Sequence, residues 1–179
     1  MTFEGNRMRE PSSQISNEST SVFRLVFFDE STVSASSIRE VLDEIDMELC
    51  PPLHARTDLD QYVRKLITRS DTIFALGNHR DLLGFIVFYL TNRIDEYAYW
   101  TLLAVRPAHR RKGVGMALSK AMVECCRKGG VRGILAKTWE SHSVTPKIFS
   151  SLGFVRYGDL EARPSTREMS VSYRLDFVQ

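Results

Sequence analysis

The sequence predicts an α/β domain built on a central sheet, and three observations carry the prediction. Short runs rich in β-branched and aromatic residues alternate with amphipathic helical stretches. Three of those runs follow one another directly, with turn-like residues between them, as in an antiparallel meander. The longest amphipathic stretch then separates this meander from a further strand, and alternation of that kind packs helices against a sheet.

Taken in order, Val22–Phe28 reads as the first strand. A helix from about Ser37 to Met47 follows, with Ile38, Val41, Leu42 and Ile45 at helical spacing and Ser37 and Glu40 as a capping box. Cys50-Pro51-Pro52-Leu53-His54 interrupts it, because proline lacks a donor and restricts the residue before it. A second helix runs from about Asp58 to Thr68 with the stripe Leu59, Tyr62, Val63, Leu66 and Ile67, and Thr57 with Asp60 as a looser cap. The meander is Thr72–Leu76, Leu82–Leu90 and Tyr97–Val105, with turns at Asn78–Asp81 and Asn92–Glu96. The longest helix, about Gly113 to Lys128, carries Val114, Ala117, Leu118, Ala121, Met122 and Cys125 on one face; Gly129-Gly130 stops it. Val131–Lys137 is a strand, Pro146–Leu152 a short helix capped by Thr145, and Phe154–Tyr157 and Met169–Phe177 close the order as strands.

Residues 1–20, with Ser12, Ser13, Ser16, Asn17, Glu18, Ser19 and Thr20, read as a disordered leader, and residues 21–179 as one domain. The formal net charge of +2 is too small for bulk attraction to nucleic acid or a membrane. No apolar run approaches the ~18 residues of a membrane span, and no basic start leads into an apolar stretch as in a secretory signal. The three cysteines, Cys50, Cys125 and Cys126, form no CxxC pair, so neither a disulfide framework nor a metal site is expected, and the simplest reading is a reduced, cytoplasmic protein.

The chemistry concentrates in Leu102-Leu103-Ala104-Val105-Arg106-Pro107-Ala108-His109-Arg110-Arg111-Lys112-Gly113-Val114-Gly115. A strand enters a basic loop that opens the longest helix. The first turn of a helix presents unpaired N–H groups and positive partial charge, which together suit a phosphate. Gly113 and Gly115 let a pyrophosphate approach the backbone, and Arg110, Arg111 and Lys112 add positive charge. Two alternatives stand beside this: a solvated basic loop, and contact with a nucleic-acid backbone. A Walker loop is excluded by spacing, and a dinucleotide fingerprint would need glycine where Leu118 stands.

Arg110-x-x-Gly113-x-Gly115 resembles the R/Q-x-x-G-x-G/A signature of the GNAT superfamily of N-acetyltransferases. Leu103-Ala104-Val105-x-Pro107 precedes it at the family's spacing, and Phe149-x-x-x-Gly153-Phe154 is similar to the family's closing helix and Gly-Phe strand. The resemblance implies a mixed central sheet of six to seven strands with helices on both faces, and splayed parallel strands forming an acetyl-CoA cleft. It places the pantetheine arm on the backbone of Leu103, Ala104 and Val105, and the pyrophosphate on Arg110, Arg111, Lys112, Gly113, Val114 and Gly115. Val131–Lys137 becomes the splayed partner strand, and Phe149 joins the cofactor-binding set.

The same resemblance implies an acetyl-CoA-dependent N-acetyltransferase that moves acetyl directly to a primary amine of a small molecule. The position of the family's frequent base holds Tyr99, a weak base with an ordinary pKa near ~10 but able to orient water. The family's frequent tyrosine acid is replaced by Phe149, and an asparagine seven residues earlier by His142. Glu140, His142, Ser143 or water would then assist the departing thiolate. The segment Glu48–Arg56 would wall the acceptor site, with Glu48 drawing a cationic amine and Arg56 an anion. Pro51-Pro52-Leu53 followed by Leu59, Tyr62, Lys65 and Leu66 is similar to bacterial members linked to surface sugars, which hints at an amino sugar. The expected partners are acetyl-CoA and a small amine, with no nucleic acid, membrane or metal; such proteins often form homodimers. Two alternatives stand: an acyl-CoA-binding module with little catalysis, and an acetyltransferase for protein N-termini or lysines.

Overall fold

The computed structural model describes residues 23–27, 32–49, 51–90, 96–162 and 168–177. The expected leader, Cys50 and most of the Asn92–Glu96 turn lie outside the described residues. The strands are β1 (Phe23–Phe27), β2 (Asp71–Gly77), β3 (Leu82–Tyr89), β4 (Tyr97–Val105), β5 (Gly133–Trp139), β6 (Val155–Ala162) and β7 (Met169–Asp176). The helices are α1 (Ala35–Ile45), α2 (Leu59–Arg69), α3 (Val114–Lys128) and α4 (Thr145–Ser151). Short 3-10 turns stand at Asp46–Glu48, Leu53–Ala55 and Pro107–His109.

All seven strands form one sheet in the order β1-β2-β3-β4-β5-β7-β6. Neighbours are antiparallel except β4 and β5, which run parallel. This is the mixed α/β sheet that the sequence predicts. Strand alternation sorts its side chains into two cores. Ile73, Ile86, Phe88, Trp100 and Ile134 pack with Leu118 and Met122 of α3. Phe74, Phe85 and Val87 pack on the other face with Val41 and Leu42 of α1 and Val63 and Leu66 of α2. The helices therefore cover both faces.

Several sequence expectations shift locally. The cap of α1 is Ser34, whose hydroxyl accepts from the Ser37 amide; Ser37 lies inside the helix. The cap of α2 is Asp58, which accepts from the Gln61 amide, so Thr57 is one residue too early. Thr145 is the first residue of α4 rather than its cap. The expected strand at Val131 begins at Gly133, because Val131 and Arg132 are spent entering the sheet; the Arg132 amide donates to the Glu96 carbonyl at 2.8 Å. On α3 the fully buried thiol is Cys126, with Cys125 only half-buried. That helix lies across β2 to β5, so its buried face is wide enough to include Ser119, Val123 and Cys126.

Candidate functional site

Strands β4 and β5 part company midway. They pair only over Tyr97–Trp100 with Gly133–Ala136. Beyond that point β4 continues to Val105 along β3, from Val87 opposite Leu102 to Gly84 opposite Val105. Its other edge, from Thr101 to Val105, has no strand partner among the described residues. A register shift at Val87/Phe88 leaves Thr101 as an extra residue on β4, and its hydroxyl donates to the Val87 carbonyl at 3.0 Å. Such a bulge turns the strand and changes its phase. Ahead of it Ala98 and Trp100 face the α3 core; after it Leu103 and Val105 do, while Leu102 and Ala104 turn to the α1/α2 core.

The loop after β4 is anchored by two arginines. Arg106 Nε donates to the Leu82 carbonyl at 2.8 Å, and its guanidinium pairs with Glu40 at 3.0 Å and with Glu44. Arg110 Nε donates to the Val105 carbonyl at 3.0 Å, and its two terminal nitrogens meet the two oxygens of Glu48 at 2.9 and 2.8 Å. Glu40, Glu44 and Glu48 recur every four residues, so one face of α1 and the turn after it holds this loop. The side chain of Arg110 is thus committed to Glu48 and Val105. Glu48, expected to draw an amine, is committed to Arg110.

Past Arg110 the main chain opens. Arg111, Lys112 and Gly113 are exposed. Arg111 has φ +58° and Gly113 φ +82°. Left-handed residues alternating with ordinary ones turn successive N–H groups inward into an anion-holding concavity. Helix α3 begins directly after Gly113, and no side chain caps its first-turn amides. A Cβ on Gly113 would meet nothing within 4 Å, so glycine is required there by φ alone. A Cβ on Gly115 would stand 3.6 Å from Leu103 and 3.7 Å from Val105, so its smallness lets α3 close on β4. Leu103, Ala104, Val105 and the run from Arg110 to Gly115 are therefore brought together along one open strand edge.

Phe149 does not join them. It is 2% exposed, and its ring packs 5.0 Å from Trp100, 5.2 Å from Phe154 and 4.8 Å from Tyr173. It serves as a core aromatic.

The expected proton-handling residues fall on opposite sides of the sheet. Tyr99 lies just before the strands part, paired with Leu135 on β5 and Tyr89 on β3, on the α1/α2 face. His142 is half-buried, and its Nδ1 lies 3.1 Å from the Thr138 hydroxyl. Thr138 shares the phase of Ile134 and Ala136, which face α3, so His142 belongs to that side. Glu140 and Ser143 are exposed beside it, and the Glu140 amide is tied to the Met169 carbonyl at 2.9 Å.

Two constellations escaped the sequence reading. Tyr89 and half-buried Tyr62 join Tyr99 on the α1/α2 side, and burial with the nearby Tyr89 raises the Tyr62 phenol's pKa. His54 donates its amide to Asp46 at 3.1 Å, and its Nδ1 contacts the other carboxylate oxygen. Burial raises the Asp46 pKa, but the bonds from His54 and Leu53 outweigh it and leave the net value below the ordinary one. No spacing rule would have paired residues on consecutive 3-10 turns.

A sheet whose parallel strands diverge beside an open helix N-terminus defines the class of acyltransferases that hold a CoA thioester between strands. Within that class the chain belongs to one family: the sequence pattern of the Acetyltransferase (GNAT) family matches residues 37–154. It is accordingly an acetyl-CoA-dependent N-acetyltransferase. A search of curated proteins finds no match. Solved structures share the fold. A GCN5-related N-acetyltransferase from Kribbella flavida has a TM-score of 0.68 at 21% identity, over 87% of this chain and 98% of that one. An acetyltransferase-fold protein from Salmonella typhimurium, solved with its cofactor acetyl-CoA, scores 0.70 at 16% identity, over 87% and 94%. A streptothricin acetyltransferase-like protein from Bacillus anthracis, in complex with acetyl coenzyme A, scores 0.55 at 24% identity, over 64% and 68%. Among the described residues, no helix is long and apolar enough to cross a membrane.

Proposed function

We propose that this enzyme acetylates a primary amine of a small molecule, with an amino sugar as the leading acceptor class, by direct transfer within the β4/β5 opening. The observation that carries the reading is the unpaired β4 edge from Thr101 to Val105 beside the uncapped start of α3. The main chain from Arg111 to Gly115 would hold the pyrophosphate, with Arg111 and Lys112 adding charge. Backbone groups of Leu103 and Ala104 would take the pantetheine amides; the Val105 carbonyl already accepts from Arg110.

The amine must be neutral to attack. Its nitrogen bonds to the thioester carbonyl carbon as the carbon–sulfur bond breaks. One proton leaves nitrogen, and one ends on the CoA sulfur. Tyr99 sits on the acceptor side and orients the amine or the water that takes its proton. His142 sits on the α3 side and assists the thiolate, together with Glu140 or Ser143. The placement of these groups on opposite faces suits the two ends of one transfer. A reduced, cytoplasmic setting goes with the reading; the Cys126 thiol, raised in pKa by burial, stays protonated and takes no part in the transfer.

An acetyl-CoA turnover screen with free-thiol detection, run over small amines, amino sugars and peptides, tests this. Turnover of small amines is the expected result. Acetylation confined to peptides would replace the small-molecule acceptor with a protein one. Tight CoA binding without turnover on any amine would leave only acyl-CoA binding.

A further inference from the structure

Helix α2 carries a groove that the reading so far does not use. It is an open surface groove of ≈ 710 Å³, lined by the exposed side chains of Arg56, Arg64, Lys65 and Arg69 together with half-buried Tyr62. Among the described residues, no carboxylate lines it. The two acids at the start of α2 are occupied elsewhere: the N-cap Asp58 accepts from the Gln61 amide, and Asp60 pairs with Arg39 of α1 at 2.5 Å. None of the four cations forms an ion pair with another described residue. Four positive side chains around one concavity repel one another unless an anion joins them. Small-ligand sites occupy about 300–1,000 Å³, and this one falls within that range.

The groove opens on the face of the sheet that carries Tyr99. Tyr62 lines it and packs against the α1/α2 core, near enough to Arg56 and Tyr89 for both to act on its phenol. Tyr89 stands directly opposite Tyr99 across β3 and β4. Directly opposed side chains lie about 5 Å apart at Cβ, so Tyr89 and Tyr99 are neighbours on the face of the sheet that Tyr62 packs against.

Accepting the small-amine reading above, we propose that this groove binds a phosphate group of the acceptor, which is therefore a phosphorylated small amine. A single carboxylate would balance one of the four cations. A phosphate ester carries ≈ −1.5 to −2 charge and three acceptor oxygens, and arginine forks fit it bidentately. The cations are confined to one groove of an 11-residue helix and its entry, not spread along a strip as a nucleic-acid backbone would require. The transfer is unchanged: acetyl passes from sulfur to nitrogen while one proton leaves the amine and one reaches the thiolate. The phosphate takes no part beyond orienting the amine.

The test uses the full chain saturated with CoA, so that the pyrophosphate loop is filled. Inorganic pyrophosphate is titrated by calorimetry into it and into the doubly substituted Arg56→Ala, Lys65→Ala protein, and thermal unfolding checks that the variant is folded. In parallel, acetylation is measured for glucosamine against glucosamine 6-phosphate, and for ethanolamine against phosphoethanolamine. The expected result is pyrophosphate binding weakened about tenfold or more in the variant, with a tenfold or greater preference for a phosphorylated amine that falls toward one through KM. Absence of pyrophosphate binding, or binding equal in both proteins, overturns the groove assignment. Turnover without preference for the phosphorylated partner also overturns it, yet leaves the small-amine reading intact. No acetylation of any amine by protein that binds acetyl-CoA overturns the reading beneath it. Single-stranded RNA that binds more tightly than pyrophosphate and is lost in the same variant would make this a nucleic-acid surface instead.

Discussion

The two faces of the sheet are built for binding in different ways. On the α3 face the candidate cofactor site is main chain: an unpaired strand edge, a left-handed pair at Arg111 and Gly113, and the open first turn of a helix. On the α1/α2 face it is side chain: three tyrosines, a basic groove, and carboxylates already joined to arginines. A main-chain site depends on backbone shape and tolerates change in most side chains around it. A side-chain site can be altered residue by residue, which is how one fold serves many acceptors.

The contrast breaks most directly at Gly115. Leucine there would drive into Leu103 and Val105, and overpacking at a closed position costs about 1–3 kcal/mol, equivalent to about 5- to 150-fold in affinity where it falls on the CoA-bound form. Gly115→Leu should lose CoA binding by about that factor, whereas Gly115→Ala, with room at 3.6 Å, should stay within a few-fold of the parent protein. Calorimetric titration of CoA into both checks this; equal binding by the two variants would remove α3 closure from the site.

The opposite behaviour is expected at Tyr99. Loss of one hydrogen bond made in the transition state is worth about 1.4 kcal/mol, or about tenfold in rate. Tyr99→Phe should lower kcat about tenfold and leave the affinity for acetyl-CoA unchanged. An unaltered kcat would take Tyr99 out of the transfer.

The same difference decides what could be read from the sequence. Glycine at fixed distances from a strand and a helix start is a backbone signal, so the bounds of β4 and the start of α3 are legible in the sequence to within a residue. So is the order of strands and helices along the chain, though not the place of β7 between β5 and β6. The acceptor side was not: Glu48 was assigned to an amine and is held by Arg110, and Tyr62 was a stripe residue until β3 placed Tyr89 beside it. Long-range side-chain pairing leaves no periodic trace. The burial of Phe149 among aromatic rings is equally hidden, since a motif position says nothing of the rings around it. The caps of α1 and α2 differ by three residues and one because several serines, threonines and aspartates near those helix starts can accept from a first-turn amide, and only the backbone selects one; α4 starts after Val144 with no side-chain cap at all.

A smaller effect sharpens the side-chain face alone. Asp46 is 6% exposed and holds its charge through bonds from His54 and Leu53. Its folded pKa lies below its unfolded one, so the stabilisation is fully present above the unfolded value. It is lost as pH falls through the folded value, below the ordinary carboxylate range. Asp46→Asn should therefore cost about 1–2 kcal/mol at neutral pH, and the difference from the parent should shrink in strong acid. Urea unfolding at neutral pH and at pH values below the carboxylate range measures both; a pH-independent gap would mean that the charge contributes nothing.

The smallest effect concerns a bridge that joins the two faces. Glu48 lies in the turn after α1, Arg110 in the loop before α3, and the bridge between them also fixes the Val105 carbonyl through Arg110 Nε. Both side chains are partly exposed, at 51% and 38%, and exposed pairs are worth about 0–1 kcal/mol. A stability loss on that scale would be expected of any surface bridge and decides little. A double-mutant cycle of Glu48→Gln and Arg110→Gln, read in CoA affinity, separates the alternatives. If the bridge positions the loop, each single variant weakens CoA about two- to threefold and the double variant is no worse than either. Independent, multiplying losses would show that Arg110 acts on the loop without Glu48, and that the acceptor wall and the cofactor loop are neighbours with no energetic link.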